Sequence, residues 1–321
     1  MNQDIYVVIE HLQRQVADIS YVMLAAARAL ARTKGGDVVA ILLGHDSQEL
    51  AAGLAADRVE YMDHPALREF TSDAYCQAVA YLISQEKPHA VLLGNTSIGS
   101  DVAGLLSARL SLPLVSSCRS VTADGKLACQ TCGGKIMAEA DLAETTSLVA
   151  MIPGGYRPDD GRSEHMPEVR CVQAPALEHL RVTLKRYIEP ESGDVDISKQ
   201  PVLVAVGRGI QREGNIELAQ ELAAALGGVV CASRPVVDQG WMPTDRLVGK
   251  SGKRVKPKLY LALGISGAPE HVEGLADSEV IIAVNTDPAA PIFDVAKYGT
   301  TVDLFDLVPV LTEKVQQVKT A

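Results

Sequence analysis

The chain has 321 residues, room for about two domains of roughly 150 residues each, and 47% of it is apolar, which excludes disorder for most of its length. Its 13 aromatics (3 Phe, 1 Trp, 9 Tyr) are too few for a base-stacking nucleic-acid binder, and 30 bases against 40 acids, a net charge of −10, argue against a phosphate-binding face. No run of about 18 apolar residues offers a membrane span, and Met1-Asn2-Gln3-Asp4 lacks the basic opening of a secretory signal, so a cytoplasmic protein without nucleic-acid partners or membrane insertion is expected.

In chain order, Ile5 to Ile9 is an unbroken apolar run that suits a buried parallel strand. Ser20 is placed to cap a helix over Tyr21 to Arg32, whose Met23, Ala26, Ala27 and Leu30 make one apolar stripe. Gly35-Gly36 ends it, and Val38 to Leu43 is the next strand. Ser72 is placed to cap a helix over Asp73 to Gln85; Val91 to Leu93 follows as a strand and Gly99 to Leu110 as a helix. This βαβ alternation predicts a parallel sheet covered by helices. From about Val121 to Met151 the rhythm changes to hairpin-like segments, and residues 154–167, rich in Gly, Pro and charge, read as a loop. Glu189 to Asp194 is polar, acidic and turn-forming, the expected linker. Beyond it the rhythm restarts with strands at Val202–Val206, Val229–Cys231, Leu259–Leu263 and Ile281–Val284, a helix near Glu217–Leu226 and an amphipathic stretch over Leu304–Val318.

Six cysteines imply no disulfide framework. Cys129 and Cys132 form a CxxC, but no second CxxC or HxxxH supplies the remaining ligands of a zinc site, and no helix follows as a redox dithiol requires, so neither metal nor dithiol chemistry is expected. Charge is uneven: 17 bases against 25 acids in residues 1–195 and 13 against 15 in residues 196–321. Within the second part, Arg246, Lys250, Lys253, Arg254, Lys256 and Lys258 form a basic island that can attract an anionic ligand.

Doubly wound sheets bind ligands beyond the carboxyl ends of their strands. In the second half, four such ends carry Gly-rich or polar sequence: Val206-Gly207-Arg208-Gly209, Cys231-Ala232-Ser233-Arg234, Gly264-Ile265-Ser266-Gly267-Ala268 and Asn285-Thr286-Asp287-Pro288. Glycines let backbone N–H groups approach an anion. Four such loops together point to a nucleotide cofactor, while the lack of a Walker A lysine motif and of a GxGxxG disfavours an ATPase and a standard NAD dehydrogenase. His271 lies just beyond the third loop.

These residues resemble the alpha subunit of electron-transfer flavoprotein, most strongly over residues 201–309. The resemblance is carried by Leu259-Tyr260-Leu261-Ala262-Leu263-Gly264-Ile265-Ser266-Gly267-Ala268-Pro269-Glu270-His271 with Gly274, Ile281, Ala283 and Asn285, by Ala232-Ser233-Arg234 through Asp238 and Gly240, by Leu247 to Lys253, by Asp287 to Phe293 and by Asp303-Leu304-Phe305. His64 to Leu67, Leu93 to Ser97 and Gly133 to Ala138 carry a looser likeness in the first half. The departures are Pro269 for an aliphatic residue, Glu270 for Gln, Thr286 for a frequent Lys and Leu247 for a Gln that contacts the cofactor.

The resemblance implies an α/β chain of two domains: residues 1–190 as a nucleotide-alpha-hydrolase-like parallel-sheet scaffold at the subunit interface, and residues 197–321 as a Rossmann-like FAD-binding domain. It implies FAD on this chain, with Arg234 packed on the flavin, Ser251 near N5 and His271 at the O2 edge. Ser266, Gly264, Gly267 and Ala268, assisted by Ser233, would hold the diphosphate, with Arg208 and Lys250 as charged partners and Glu270 tuning the flavin. Asn285, Thr286 and Asp303 would contact the ribose or adenine. The implied work is electron transfer with no bond made on a substrate, so no catalytic residue is assigned. The implied partners are a homologous beta subunit carrying AMP or a second FAD, dehydrogenases such as acyl-CoA dehydrogenases as donors, and a quinone reductase as acceptor, in a fatty-acid β-oxidation setting. The alternatives are an electron-bifurcating complex that uses NADH, and a nucleotide-binding sensor without redox activity.

Overall fold

In the computed structural model, which describes residues 2–132, 136–178, 180–187 and 195–320, the first apolar run becomes strand β1 (Ile5–Val8), buried throughout. A short hairpin, β2 (His11–Leu12) and β3 (Gln15–Val16), leads into helix α1 (Asp18–Lys34). Then come β4 (Val38–Gly44), β5 (Arg58–Asp63), α2 (Ser72–Glu86), β6 (Ala90–Gly94) and α3 (Ser97–Leu110). The hairpin-like region resolves into β7 (Leu114–Val121), β8 (Leu127–Thr131) and β9 (Ile136–Ala140), followed by β10 (Ser147–Met151) and β11 (Glu168–Cys171). The chain divides into two units, Met1–Tyr187 and Ile188–Ala321. The expected linker, Glu189 to Asp194, and Gly133-Gly134-Lys135 lie outside the described residues.

Among the described residues, the strands of the first unit order as β11-β5-β4-β1-β6-β10-β7-β8-β9. They run parallel from β11 to β7, and β8 and β9 add on antiparallel. The hairpin reading therefore holds for β7 to β9, whereas β10 returns to the middle of the sheet, parallel to both neighbours. Side chains of β1 alternate between two cores: Ile5, Val7 and Ile9 pack with α1, and Tyr6 and Val8 with α2 and α3. A strand covered on both faces has no polar alternation, which is why the sequence run is continuous.

Two helix starts differ from the sequence expectation. Ser20 lies inside α1, whose N-cap is Ala17. Its hydroxyl instead serves a distant strand end: it accepts from the Glu10 N–H at 2.8 Å and donates to the Glu10 carbonyl at 3.1 Å. The α2 cap is Thr71, whose Oγ1 accepts from the Ala74 N–H, so Ser72 is the first helical residue.

The second unit holds β12 (Val202–Val206), α4 (Ile216–Leu226), β13 (Val229–Ala232), the short α5 (Arg234–Asp238), β14 (Leu259–Leu263), α6 (Pro269–Leu275), β15 (Val280–Val284), β16 (Tyr298–Thr300) and α7 (Leu304–Thr320). The strand order β13-β12-β14-β15-β16 is parallel throughout. Val204 and Val206 of β12 face a core with α4 and α7, and Leu203 and Ala205 face the opposite core. The chain winds one way from β12 to β13 and the other way from β12 to β14, so the switch point of this doubly wound sheet lies between β12 and β14. Among the described residues, no helix is long and apolar enough to cross a membrane.

The Ser20 contact is testable. Ser20→Ala leaves the buried Glu10 N–H without its acceptor, and an orphaned buried donor costs about 1–3 kcal/mol. A lower thermal midpoint and an unchanged denaturant m-value are expected; an unaltered midpoint contradicts the assignment.

Candidate functional site

The site is built where backbones meet at the switch point. Gly207 follows β12 and Gly264 follows β14, and the two loops cross in direct contact. A Cβ on Gly207 would lie 2.3 Å from the Gly264 carbonyl oxygen, and one on Gly209 would lie 2.6 Å from the Gly264 Cα. The crossing is stitched by Gly207 N–H to Leu263 O at 2.8 Å and Gly209 N–H to Gly264 O at 3.1 Å. Gly264 also sits at φ +62°, a conformation that L side chains rarely adopt. The next turn is held as tightly: a Cβ on Gly267 would fall 2.3 Å from the Ile292 nitrogen, whose N–H donates to Ser266 O at 3.0 Å.

A second wall comes from residues 247–255. Val248 N–H bonds the Ala232 carbonyl at the end of β13, and Lys250 N–H bonds the Glu270 carbonyl at 2.7 Å. Gly274 of α6 packs so closely on Gly249 that a Cβ there would meet the Gly249 nitrogen at 2.4 Å. This wall carries Ser251, and the Arg234 guanidinium reaches across from α5 to within 3.4 Å of its hydroxyl. Arg234 is further steadied by Asp238 at 3.3 Å.

His271 is buried in the same wall. Its Nδ1 lies 3.0 Å from the Val248 carbonyl and its Nε2 lies 3.0 Å from the Tyr260 hydroxyl. Burial drives its pKa down to about 4, with the Val248 hydrogen bond pulling weakly the other way. The ring is therefore neutral at physiological pH.

Together these loops enclose a cavity of about 960 Å³, at the upper end of the usual ligand-pocket range. It brings together the residues that the resemblance assigns to a cofactor: Arg208 from the first strand end; Ser233 and Arg234 from the second; Lys250 and Ser251; Gly264, Ser266, Gly267 and Ala268; Glu270 and His271; and Asn285, Thr286 and Asp303. It spans the carboxyl ends of four adjacent strands, about 14 Å at the usual strand spacing, an elongated shape suited to a dinucleotide. Arg208, Arg234 and Lys250 outnumber Glu270 and Asp303, which favours an anion.

Asn285 lines the cavity but spends its side chain on the protein. Its Nδ2 donates to Ile265 O at 2.8 Å and its Oδ1 accepts from the Asp287 N–H at 3.0 Å. Sequence reasoning did not single out Gln211, Pro235, Val248 or Leu304, which also line the cavity. Gln211 sits at φ +69°; nothing in its identity signals that.

Other candidates resolve differently. Cys129 lies buried on β8 and register-paired with Cys118 of β7, whereas Cys132 is exposed. Burial raises both buried thiols, Cys118 to about 12, the opposite of an activated thiolate. His45, Asp46 and Asp63 come within 4.8 Å of one another, but the carboxylates flank different nitrogens of one ring, at 2.8 and 3.5 Å. At the first unit's own switch point, between β1 and β6, the strand end is taken up by the buried Glu10 carboxylate, which accepts from Thr96 Oγ1 at 2.8 Å. The basic island is dispersed: Lys253 pairs with Asp196 at 3.0 Å, Arg254 pairs with Glu273, Arg246 donates to the Val230 carbonyl, and Lys256 and Lys258 are exposed.

Residues 5–177 match the family model described as the electron transfer flavoprotein domain, and residues 196–276 match the one described as the electron transfer flavoprotein FAD-binding domain. The chain is 35% identical over 356 residues to the acryloyl-CoA reductase electron transfer subunit beta of Anaerotignum propionicum, covering 99% of this chain and 97% of that protein. It is 35% identical over 329 residues to the electron transfer flavoprotein subunit alpha of Thermoanaerobacterium thermosaccharolyticum, covering 99% of each. It is 32% identical over 326 residues to the lactate dehydrogenase (NAD(+),ferredoxin) subunit LctC of Acetobacterium woodii, covering 97% of this chain and 77% of that protein.

The Asp196–Lys253 pair steadies the Ser251 wall and gives a pH prediction. Partial burial alone would raise the Asp196 pKa; hydrogen bonds from Ser198 and Lys253 outweigh it and hold the carboxyl at about 2. A depressed acid contributes its stabilisation above the ordinary carboxyl pKa and loses it as pH falls toward the folded value. The difference in thermal midpoint between wild type and Lys253→Gln should be constant from pH 5 to 7 and narrow below about pH 4. A difference that widens on acidification contradicts this account.

Proposed function

The chain belongs to the electron-transfer flavoprotein alpha-subunit family, and from that premise we propose that its second unit binds FAD and carries electrons between dehydrogenases and an acceptor as half of a heterodimer with a homologous beta subunit. FAD, when bound, supplies the ability to take up and release electrons singly or in pairs.

The observation that carries this reading is the cavity lined by every residue that the resemblance assigns to the cofactor, with Arg234 and Ser251 within 3.4 Å across it. A flavin gains negative charge on reduction without protonation, and a guanidinium answers that charge at every working pH. The backbone turns at Gly264 to Ala268 suit the diphosphate, with Arg208 and Lys250 as its cations. His271, neutral in this wall, offers polarity rather than charge at the flavin edge. Asn285, Thr286 and Asp303 line the adenosine end, where Asn285 acts by shaping the loop.

The first unit, whose switch point holds Glu10, is proposed as the scaffold that receives the beta subunit. The donors are proposed to be acyl-CoA-type dehydrogenases and the acceptor a quinone reductase. The similarity to a subunit of an NAD(+),ferredoxin lactate dehydrogenase favours one second reading, a bifurcating complex with a further FAD on the partner.

Co-expression of the full chain with its beta subunit, followed by a visible spectrum and a flavin count, tests both. One FAD per heterodimer supports a simple carrier, two support bifurcation, and none breaks the proposal. Glu270 adds a tuning prediction. Its carboxylate in the cavity wall opposes the negative charge of reduction, so Glu270→Gln should raise the first reduction potential. Potentiometry showing no change or a fall would contradict that role.

A further inference from the structure

The wall behind His271 contains a buried polar chain whose proton positions are dictated by valence. The Val248 carbonyl can only accept, so at 3.0 Å the His271 Nδ1 must carry the ring proton. A neutral imidazole then has a bare Nε2, which needs a donor. Among the described residues, the group at hydrogen-bond distance from it is the Tyr260 hydroxyl, at 3.0 Å, so Tyr260 donates. Tyr260 is fully buried on β14, in the core it shares with Cys231 of β13 and the small Ala205 of β12. Packing alone does not explain a hydroxyl here, since a buried hydroxyl without a partner is destabilising and a phenyl ring would fill the core at no such cost.

We propose that Tyr260 is a positioning residue that fixes His271 in its Nδ1–H tautomer, with Nε2 as an acceptor turned into the protein. The proposal deepens, and rests on, the reading of this cavity as the FAD site. It assigns the standing positive charge around the cofactor to Arg234, Arg208 and Lys250. His271 is held as an uncharged strut between α6 and the Val248 segment that precedes Ser251. With the Nδ1 proton spent on Val248 and Nε2 accepting from Tyr260, neither nitrogen donates toward a ligand while both bonds hold. Tyr260 thereby governs whether the imidazole faces the cofactor as a donor.

The test is long-range ¹H–¹⁵N NMR on histidine-labelled full-length chain purified with its partner subunit, before FAD is added, with His271→Gln used to assign the signal. At pH 7 the wild-type ring should show a protonated Nδ1 and an unprotonated, hydrogen-bonded Nε2. Tyr260→Phe should shift the Nε2 resonance and displace the tautomer balance. A wild-type ring protonated on Nε2 overturns the proposal, and so does a Tyr260→Phe protein with both ring shifts unchanged. The wild-type spectrum decides the tautomer even if the variant fails to fold. With FAD bound, Tyr260→Phe should also move the first reduction potential; an unchanged potential overturns the role at the cofactor. Because the tautomer is read without flavin, its failure is distinguishable from a failure to bind FAD.

Discussion

The site depends on one steric constraint: the backbones leaving β12 and β14 touch. With Gly207, Gly209 and Gly264 the two loops pass with carbonyl and Cα atoms closer than any Cβ would permit, and two backbone hydrogen bonds lock them in register. That contact closes the floor of the cavity at the topological switch point and fixes where the next turns begin. The Ser266 turn, α6 packed through Gly274 on Gly249, and the wall bearing Ser251 are each positioned from it. The cavity is thus shaped by main-chain geometry, while Arg208, Arg234, Lys250, Ser251 and Glu270 are exposed side chains mounted on that frame.

This arrangement separates two jobs. The frame of the cavity comes from backbone turns that tolerate almost no substitution. The electrostatic environment comes from Arg208, Arg234, Lys250, Glu270 and Asp303, each of which can change without moving the frame. Family departures in this chain fall mainly in the second class: Glu270, Thr286 and Leu247 all sit at the cavity wall, and none lies in the glycine crossing. Pro269 is the exception in kind, and its position at the first residue of α6 is one where a missing N–H and a fixed φ are tolerated.

What the sequence disclosed follows the range of the interactions involved. The strands were legible because burial on both faces demands continuous apolar runs, as in β1 and β14. The cavity loops were legible because four strand ends carried glycine or polar residues and matched a family pattern. Ser20 was misread because a serine at a helix start looks local, whereas its partner is Glu10, ten residues earlier and on another element. The Thr71 cap was displaced by one residue, since Thr71 and Ser72 offer equivalent hydroxyls. The neutrality of His271 was not legible at all. It comes from a burial that no spacing rule reports and that outweighs the opposing hydrogen bond to Val248, 23 residues away. Asn285 lines the cavity, yet its amide is consumed by Ile265 and Asp287, a fact of loop geometry.

Near the start of the described part of the second unit, Asp196 is tied to Lys253, two positions from Ser251, while Ile197 beside it is fully buried in the core. The entry of the chain is therefore a structural member of the cavity wall rather than a tether hanging from it. Mechanically, the wall is braced at the point where the chain arrives. Replacing Asp196 acts on the Ser251 wall through this short lever, without altering any residue that lines the cavity. A fragment of this unit cut to begin at the first strand would lose that brace and present a looser wall, even with its sheet and all its glycines intact.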